Sequence, residues 1–136
     1  MSFLKASTKE QYLLRLALRL AKTYYTRQPL SLQQVAKQEK ISEKYLEELV
    51  VFLKQQGLVR AKLGRNGGYI FKKNPRLVSV WDVLFAEKKY PKLATCLEHN
   101  SFCPLVIGCQ AKIVWQKVQT EVEKTLNKVT LNSLIS

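Results

Sequence analysis

Hydrophobic residues recur at three- and four-residue intervals in several segments, as they do on the buried face of an amphipathic helix. The first segment covers residues 7–25, and its inward positions are Leu13, Leu16, Ala17 and Leu20. Ser7 and Glu10 form a capping-box pair at its start. A first helix is therefore predicted from Ser7, ending before Pro29.

Two shorter helical segments follow. Ser31 is a suitable cap for the first, which reaches about Gln38. Its inward residues are Leu32, Val35 and Ala36. Ser42 is a suitable cap for the second. The buried stripe of that third helix is Leu46, Leu49, Val50 and Leu53.

A short hairpin is predicted after the third helix. Residues 58–62 and 69–72 are rich in strand-forming residues, and residues 64–68 supply glycines for a tight connection. Three helices followed by a glycine-tipped hairpin is the order of a winged helix-turn-helix. The predicted fold class is mainly α with a small β-hairpin wing, followed by another short helix from Ser79.

The carboxyl-terminal half divides into an irregular segment and a long helix. Pro91, Pro104 and Gly108 interrupt residues 87–108, which are predicted to form an ordered loop. From Gln110 an apolar stripe runs along one helix face, formed by Ala111, Val114 or Trp115, Val118, Val122 and Leu126. Such a stripe is either core or the contact between two copies of the chain.

Three regions are therefore expected. Residues 1–86 form a winged helix-turn-helix domain, residues 87–109 a cysteine-bearing loop, and residues 110–136 a long dimerisation helix with a tail.

The charge distribution points to a polyanionic partner. The chain of 136 residues has 23 Lys and Arg against 10 Asp and Glu, a net charge of +13. Residues 1–76 hold 16 of the basic and 5 of the acidic side chains. Nucleic acid is the favoured partner and a membrane surface the main competitor. No apolar run is long enough to cross a bilayer, so we expect a cytoplasmic protein without a membrane partner.

The predicted DNA contacts fall in two groups. The first turn of the third helix carries Ser42, Glu43, Lys44 and Tyr45. Side chains there can reach base edges, and Lys44 and Tyr45 are the expected contacts. The wing carries Arg60, Lys62, Arg65 and Asn66. We expect no enzyme activity, since nothing resembles a nucleophile–base pair or paired catalytic carboxylates.

All three cysteines fall within fourteen residues, as Cys96, Cys103 and Cys109. Three thiols cannot all pair within one molecule, and structural disulfides are rare in the cytoplasm. An iron–sulfur cluster fits this cysteine content. Zinc bound with His99 as a fourth ligand, and a metal-free redox-active thiol, remain alternatives.

Several segments together resemble the IscR/NsrR-type winged-helix transcription regulators, a family that also contains CymR. They are residues 12–18, 41–49, 57–60, 67–69, 80–84, the three cysteines and residues 130–131. The resemblance implies a homodimer that binds double-stranded operator DNA, in which the long helix crosses its mate. It also implies that Cys96, Cys103 and Cys109 ligate an iron–sulfur cluster that tunes DNA binding, with 2Fe-2S favoured and 4Fe-4S the alternative.

The fourth cluster ligand is where this sequence departs from the family pattern. Lys112 stands where the cluster-biogenesis regulator has a ligating histidine, three residues after the last cysteine. Nitric-oxide-sensing relatives use an acidic residue of the first helix, supplied by the partner subunit, and Gln11 aligns there beside Glu10. Glu10 or Gln11 is slightly favoured over His99. Two alternatives stay open: a cluster-free thiol-redox or metabolite-responsive regulator of this fold, and a small zinc or cluster protein that binds RNA or an acidic protein.

Overall fold

The computed structural model describes residues 6–85 and 110–135. Four helices come first, namely α1 (Thr8–Ala21), α2 (Thr23–Thr26), α3 (Leu32–Glu39) and α4 (Glu43–Gln55). The hairpin strands are β1 (Val59–Lys62) and β2 (Gly68–Phe71). A 3₁₀ turn (Pro75–Leu77) leads to α5 (Val80–Leu84), α6 (Gln110–Lys128) and α7 (Leu131–Ile135). This mainly helical architecture with one antiparallel hairpin confirms the predicted fold class.

The helix starts lie at the serines that the sequence marked. The Ser7 hydroxyl accepts the Glu10 N–H at 3.1 Å, and the Glu10 carboxylate accepts the Ser7 N–H at 3.2 Å. Ser31 forms the same reciprocal pair with Gln34, and so does Ser79 with Asp82. Each pair satisfies two backbone donors that a helix end otherwise leaves unpaired.

The core forms around α1, which packs against α3, α4, α5 and α7. All predicted inward residues of α1 and α4 are buried, namely Leu13, Leu16, Ala17, Leu20, Leu46, Leu49, Val50 and Leu53. Leu32 and Val35 of α3 are buried too, and Ala36 packs against this cluster. Helical spacing alone therefore identified the buried faces of these three helices.

The hairpin is extended by one backbone bridge from the segment before α3. Val59 pairs with Phe71 at its base, and Lys62 pairs with Gly68 near the tip. Leu30 and Tyr69 exchange backbone hydrogen bonds of 3.0 and 2.9 Å. A Cβ atom at Gly68 would lie 2.6 Å from the Leu30 carbonyl, so this approach requires glycine.

The single helix predicted over residues 7–25 is interrupted at Lys22. The Thr23 hydroxyl donates to the Leu20 carbonyl at 2.5 Å and accepts the Phe71 N–H at 2.8 Å. It thereby links the end of α1 to β2, and α2 continues as one separate turn. The Phe71 donor lies 48 residues away in the chain, so local periodicity could not indicate this break.

Helix α7 was not predicted, and it packs against α1 and the 3₁₀ turn. Leu131 is fully buried, and its N–H donates to the Val78 carbonyl at 2.9 Å. The Val80 N–H in turn donates to the Val129 carbonyl at 2.9 Å. These bonds fasten the carboxyl end of α6 to the amino end of α5.

Candidate nucleic-acid interface

Helices α3 and α4 form a helix-turn-helix. Lys40 ends α3 in the left-handed conformation, with φ 56° and ψ 45°, and Ile41 is buried beneath the turn. Ser42 then caps α4, because its hydroxyl accepts the Tyr45 N–H at 3.1 Å. The turn sets the direction of α4 and places its first residues at the protein surface.

The first turn of α4 has three exposed residues and one anchored residue. Ser42, Glu43 and Lys44 are exposed. Tyr45 is half-buried, and its ring meets that of Tyr12 edge-on with centroids 5.8 Å apart. The exposed position of Lys44 is compatible with base contact, whereas much of Tyr45 packs against the domain.

The outward face of α4 is rich in carboxylates. Glu43, Glu47 and Glu48 are exposed there beside Lys44. Since carboxylates repel DNA phosphates, this face does not supply the electrostatic attraction that the net charge indicates. That attraction has to come from cations on other elements.

The wing supplies such cations. Arg60, Lys62, Arg65 and Asn66 are all exposed, on β1 and at the tip. The Gly67 N–H donates to the Gly64 carbonyl at 3.1 Å and closes the tip as a tight turn. The structure thus places these predicted residues together on one short projection.

An ion cluster that the sequence did not suggest joins α1 to α3. The Arg15 Nε donates to Glu39 Oε1 at 2.8 Å, and its Nη2 donates to the Glu39 carbonyl at 2.5 Å. Arg19 donates to the other carboxylate oxygen of Glu39. Burial alone would raise the pKa of Glu39, but the hydrogen bonds and charges of Arg15 and Arg19 outweigh it and lower the pKa.

In this cluster one carboxylate is shared by two arginines, so only one of their two positive charges is neutralised. The sequence signal for it was weak: two arginines four residues apart on α1, and one glutamate at the end of another helix. Arg15 also lies over the Tyr12 ring, at 5.3 Å from its centroid. Contacts therefore run continuously from Tyr45 through Tyr12 and Arg15 to Glu39, and they brace the helix-turn-helix.

Of the predicted cluster ligands, the structure describes only Glu10 and Gln11. Cys96, Cys103, Cys109 and His99 lie outside residues 6–85 and 110–135. Glu10 is half-buried, and one of its carboxylate oxygens is engaged at the start of α1. Gln11 is exposed, and its side-chain amide donates to the Ala6 carbonyl at 2.9 Å. Within residues 6–85 and 110–135, no three His, Cys, Asp or Glu side chains converge to hold a metal ion.

Helix α6 turns only part of its apolar surface toward its own domain. Its covered side, which packs against α5, centres on Gln119, the one buried residue of the helix. Val114 and Val122 are 55% and 40% exposed. At about 100° per residue, the apolar arc lies roughly 70° around the helix from the covered side.

Among the described helices, none is long and apolar enough to cross a membrane.

Comparison with known proteins identifies a family model that matches residues 6–136. It is the Rrf2 model, described as an iron-dependent transcriptional regulator. The protein rrf2 of Nitratidesulfovibrio vulgaris is 30% identical over 132 residues, which cover 97% of this chain and 87% of that protein.

Two solved structures share the fold over nearly the whole chain. CymR of B. subtilis, titled the global cysteine regulator, superposes with a TM-score of 0.80 at 30% identity, covering 96% of this chain and 95% of CymR. IscR of T. potens superposes with a TM-score of 0.78 at 31% identity, covering 98% of this chain and 87% of IscR.

Proposed function

The chain belongs to the Rrf2 family of transcriptional regulators, and we propose that it acts as a homodimer whose affinity for operator DNA is controlled by an iron–sulfur cluster. The observation that carries the proposal is the position of the three cysteines. They fall in the segment that joins α5 of the winged domain to α6.

DNA binding is supported by the arrangement of α4 and the wing. The exposed first turn of α4 fits the major groove, where side chains read base edges. Arg60, Lys62 and Arg65 on the wing supply positive charge for phosphates or the minor groove. In the proposed complex, α4 provides sequence preference and the wing provides most of the attraction.

A second copy of the chain is the proposed occupant of the uncovered side of α6. Ala111, Val114, Val118 and Val122 form the part of the apolar arc that lies furthest from α5. Two such helices crossing each other would bury these residues on both chains, which is favourable for apolar surface. The dimer would also bring two winged domains to two half-sites of the operator.

The donor set of the chain fits a cluster. Cys96, Cys103 and Cys109 offer three thiolates, the ligands on which iron–sulfur clusters depend. When bound, the cluster would supply redox chemistry and iron atoms to which small molecules can bind. We propose Glu10 or Gln11 of the partner subunit as the fourth ligand, with His99 as the alternative, and 2Fe-2S as the cluster type with 4Fe-4S as the alternative.

The backbone connections suggest how the cysteine segment acts on the DNA-binding surface. The bonds from Val80 to Val129 and from Leu131 to Val78 fasten α5 to the far end of α6. A change in the segment between these helices therefore acts on α5, which packs directly against α1. Through α1 the change reaches Tyr12, which braces the first turn of α4.

The test is anaerobic purification followed by iron, sulfide and zinc analysis and by duplex-DNA binding. We expect iron and acid-labile sulfide in equal amounts, and a DNA affinity that changes when the cluster is removed. Variants with serine at Cys96, Cys103 or Cys109 should lose iron, while the control Lys117→Ser, at an exposed position of α6, should not. Zinc without sulfide, or an affinity indifferent to the cluster, would exclude this function.

A second candidate is a cluster-free regulator of the same fold that responds through its thiols. Similarity to CymR favours it, because one solved CymR structure, from Staphylococcus aureus, is titled an oxidized form and superposes with a TM-score of 0.75 at 28% identity. This candidate predicts a metal-free protein whose DNA affinity changes on thiol oxidation.

A further inference from the structure

The tip of the wing carries a leucine that the chain leaves almost fully in water. Leu63 directly follows β1 and is 91% exposed, the highest exposure among the large hydrophobic residues that the structure describes. Leu63 contributes almost no buried area to the fold, and a partner that covered it would gain the free energy of burying its side chain.

The turn after Leu63 has a closely packed, hydrogen-bonded backbone. The hydrogen bond from Gly67 to Gly64 closes the turn at 3.1 Å. A Cβ atom at Gly67 would lie 2.2 Å from the Lys62 carbonyl, so the chain passes too closely there for any side chain. The backbone beside Leu63 is therefore already ordered before a partner binds, which favours contact.

The surroundings of Leu63 select a polyanion as that partner. Lys62 precedes it and Arg65 follows it by two residues, and both are exposed. Proteins that bind the minor groove combine such cations with apolar wedges, leucine among them, that enter between base steps. A protein partner of ordinary composition would not need cations on both sides of the leucine.

We propose that Leu63 enters the minor groove of the bound duplex, partly unstacks one base step and bends the DNA there. This inference rests on the proposed DNA-binding function. The contact would favour pyrimidine–purine steps, because these are the most easily kinked. Leu63 would thereby add sequence preference at a position that no hydrogen bond reads.

The experiment starts from a duplex that the wild-type protein selects from a random library. Leu63→Ala should weaken binding by about tenfold, because much of a buried leucine side chain is lost. The dependence of affinity on salt should keep its slope, since an apolar contact releases no counterions. Arg65→Ala should instead lower that slope by about one. Leu77→Ala is the matched control: Leu77 is 80% exposed but lies in the 3₁₀ turn, and its loss should leave affinity unchanged.

Two structural readouts on the DNA complete the test. With wild type, 2-aminopurine placed at the contacted step should brighten, and end-to-end energy transfer should report a bend; Leu63→Ala should diminish both. Equal affinity, fluorescence and bend for wild type and Leu63→Ala would refute the wedge while leaving DNA binding intact. Failure of the wild type to select any duplex would overturn the proposed function, and this inference with it.

Discussion

The ion cluster at Glu39 makes a quantitative prediction about the stability of the helix-turn-helix. Glu39→Gln keeps the shape of the side chain but removes the charge that Arg15 and Arg19 share. The side chain of Glu39 is 12% exposed, whereas those of Arg15 and Arg19 are 43% and 35% exposed. Solvent screens the two arginines, so the loss should lie between that of a surface pair and that of a buried one, at about 1–2 kcal/mol at pH 7.

The sign of the pH dependence follows from the lowered pKa of Glu39. A carboxylate with a lower pKa in the folded state stabilises the protein above its unfolded pKa, near the ordinary value of 4.5. This contribution disappears as the pH falls through the folded-state pKa. The stability difference between wild type and Glu39→Gln should therefore be full at pH 7, decline as the pH falls below 4.5, and vanish only below the lowered folded-state pKa.

Urea unfolding followed by circular dichroism measures this difference at each pH. Glu47→Gln is the matched control, because Glu47 is exposed on α4 and its loss should change stability little. Equal stability of the two variants at pH 7 would refute the reasoning. A deficit of Glu39→Gln that persists unchanged in acid would assign the effect to packing instead of charge.

Three further predictions concern the proposed dimer, the turn before α4 and the proposed DNA contact. Val118→Glu should convert the dimer to monomer in analytical ultracentrifugation, while Lys117→Glu should not; unfolding with dimeric residual protein would make the stripe a part of the core. Lys40→Gly should raise the free energy of unfolding by about 0.5–1 kcal/mol, because glycine adopts the left-handed conformation without strain, and a loss measured in urea would contradict this. Lys44→Ala should alter base preference by about 1–3 kcal/mol in competition binding if Lys44 reads a base, whereas uniform weakening across sequences would make it a phosphate contact.

Features that depend on neighbouring residues in the chain were predictable from the sequence. The pair of Ser7 with Glu10 spans three residues and forms as expected, and the helix predicted from Ser79 begins there. The buried faces of α1 and α4 followed from helical spacing in the same way. Local hydrogen bonding and amphipathicity were sufficient here because the tertiary structure did not oppose them.

Features that depend on distant residues were not predictable. The break after α1 requires the Thr23 hydroxyl to meet the Phe71 N–H, and α7 requires Leu131 to meet Val78. Arg15 and Arg19 reach Glu39 only because α1 and α3 pack together. Periodicity contains no information on such pairings.

In the candidate site, too, the sequence predicted the total charge but not where the charges lie. Net charge predicted a polyanionic partner, yet it could not show that the outward face of α4 carries Glu43, Glu47 and Glu48. In the proposed complex these carboxylates are repelled by every phosphate that α4 approaches. They contribute favourably to binding only where a base offers a hydrogen-bond donor such as the cytosine amino group. Attraction by the wing and discrimination by α4 are then separate properties. Removing a wing cation should weaken binding to all duplexes. Removing an α4 carboxylate should reduce the difference in affinity between operator and random DNA.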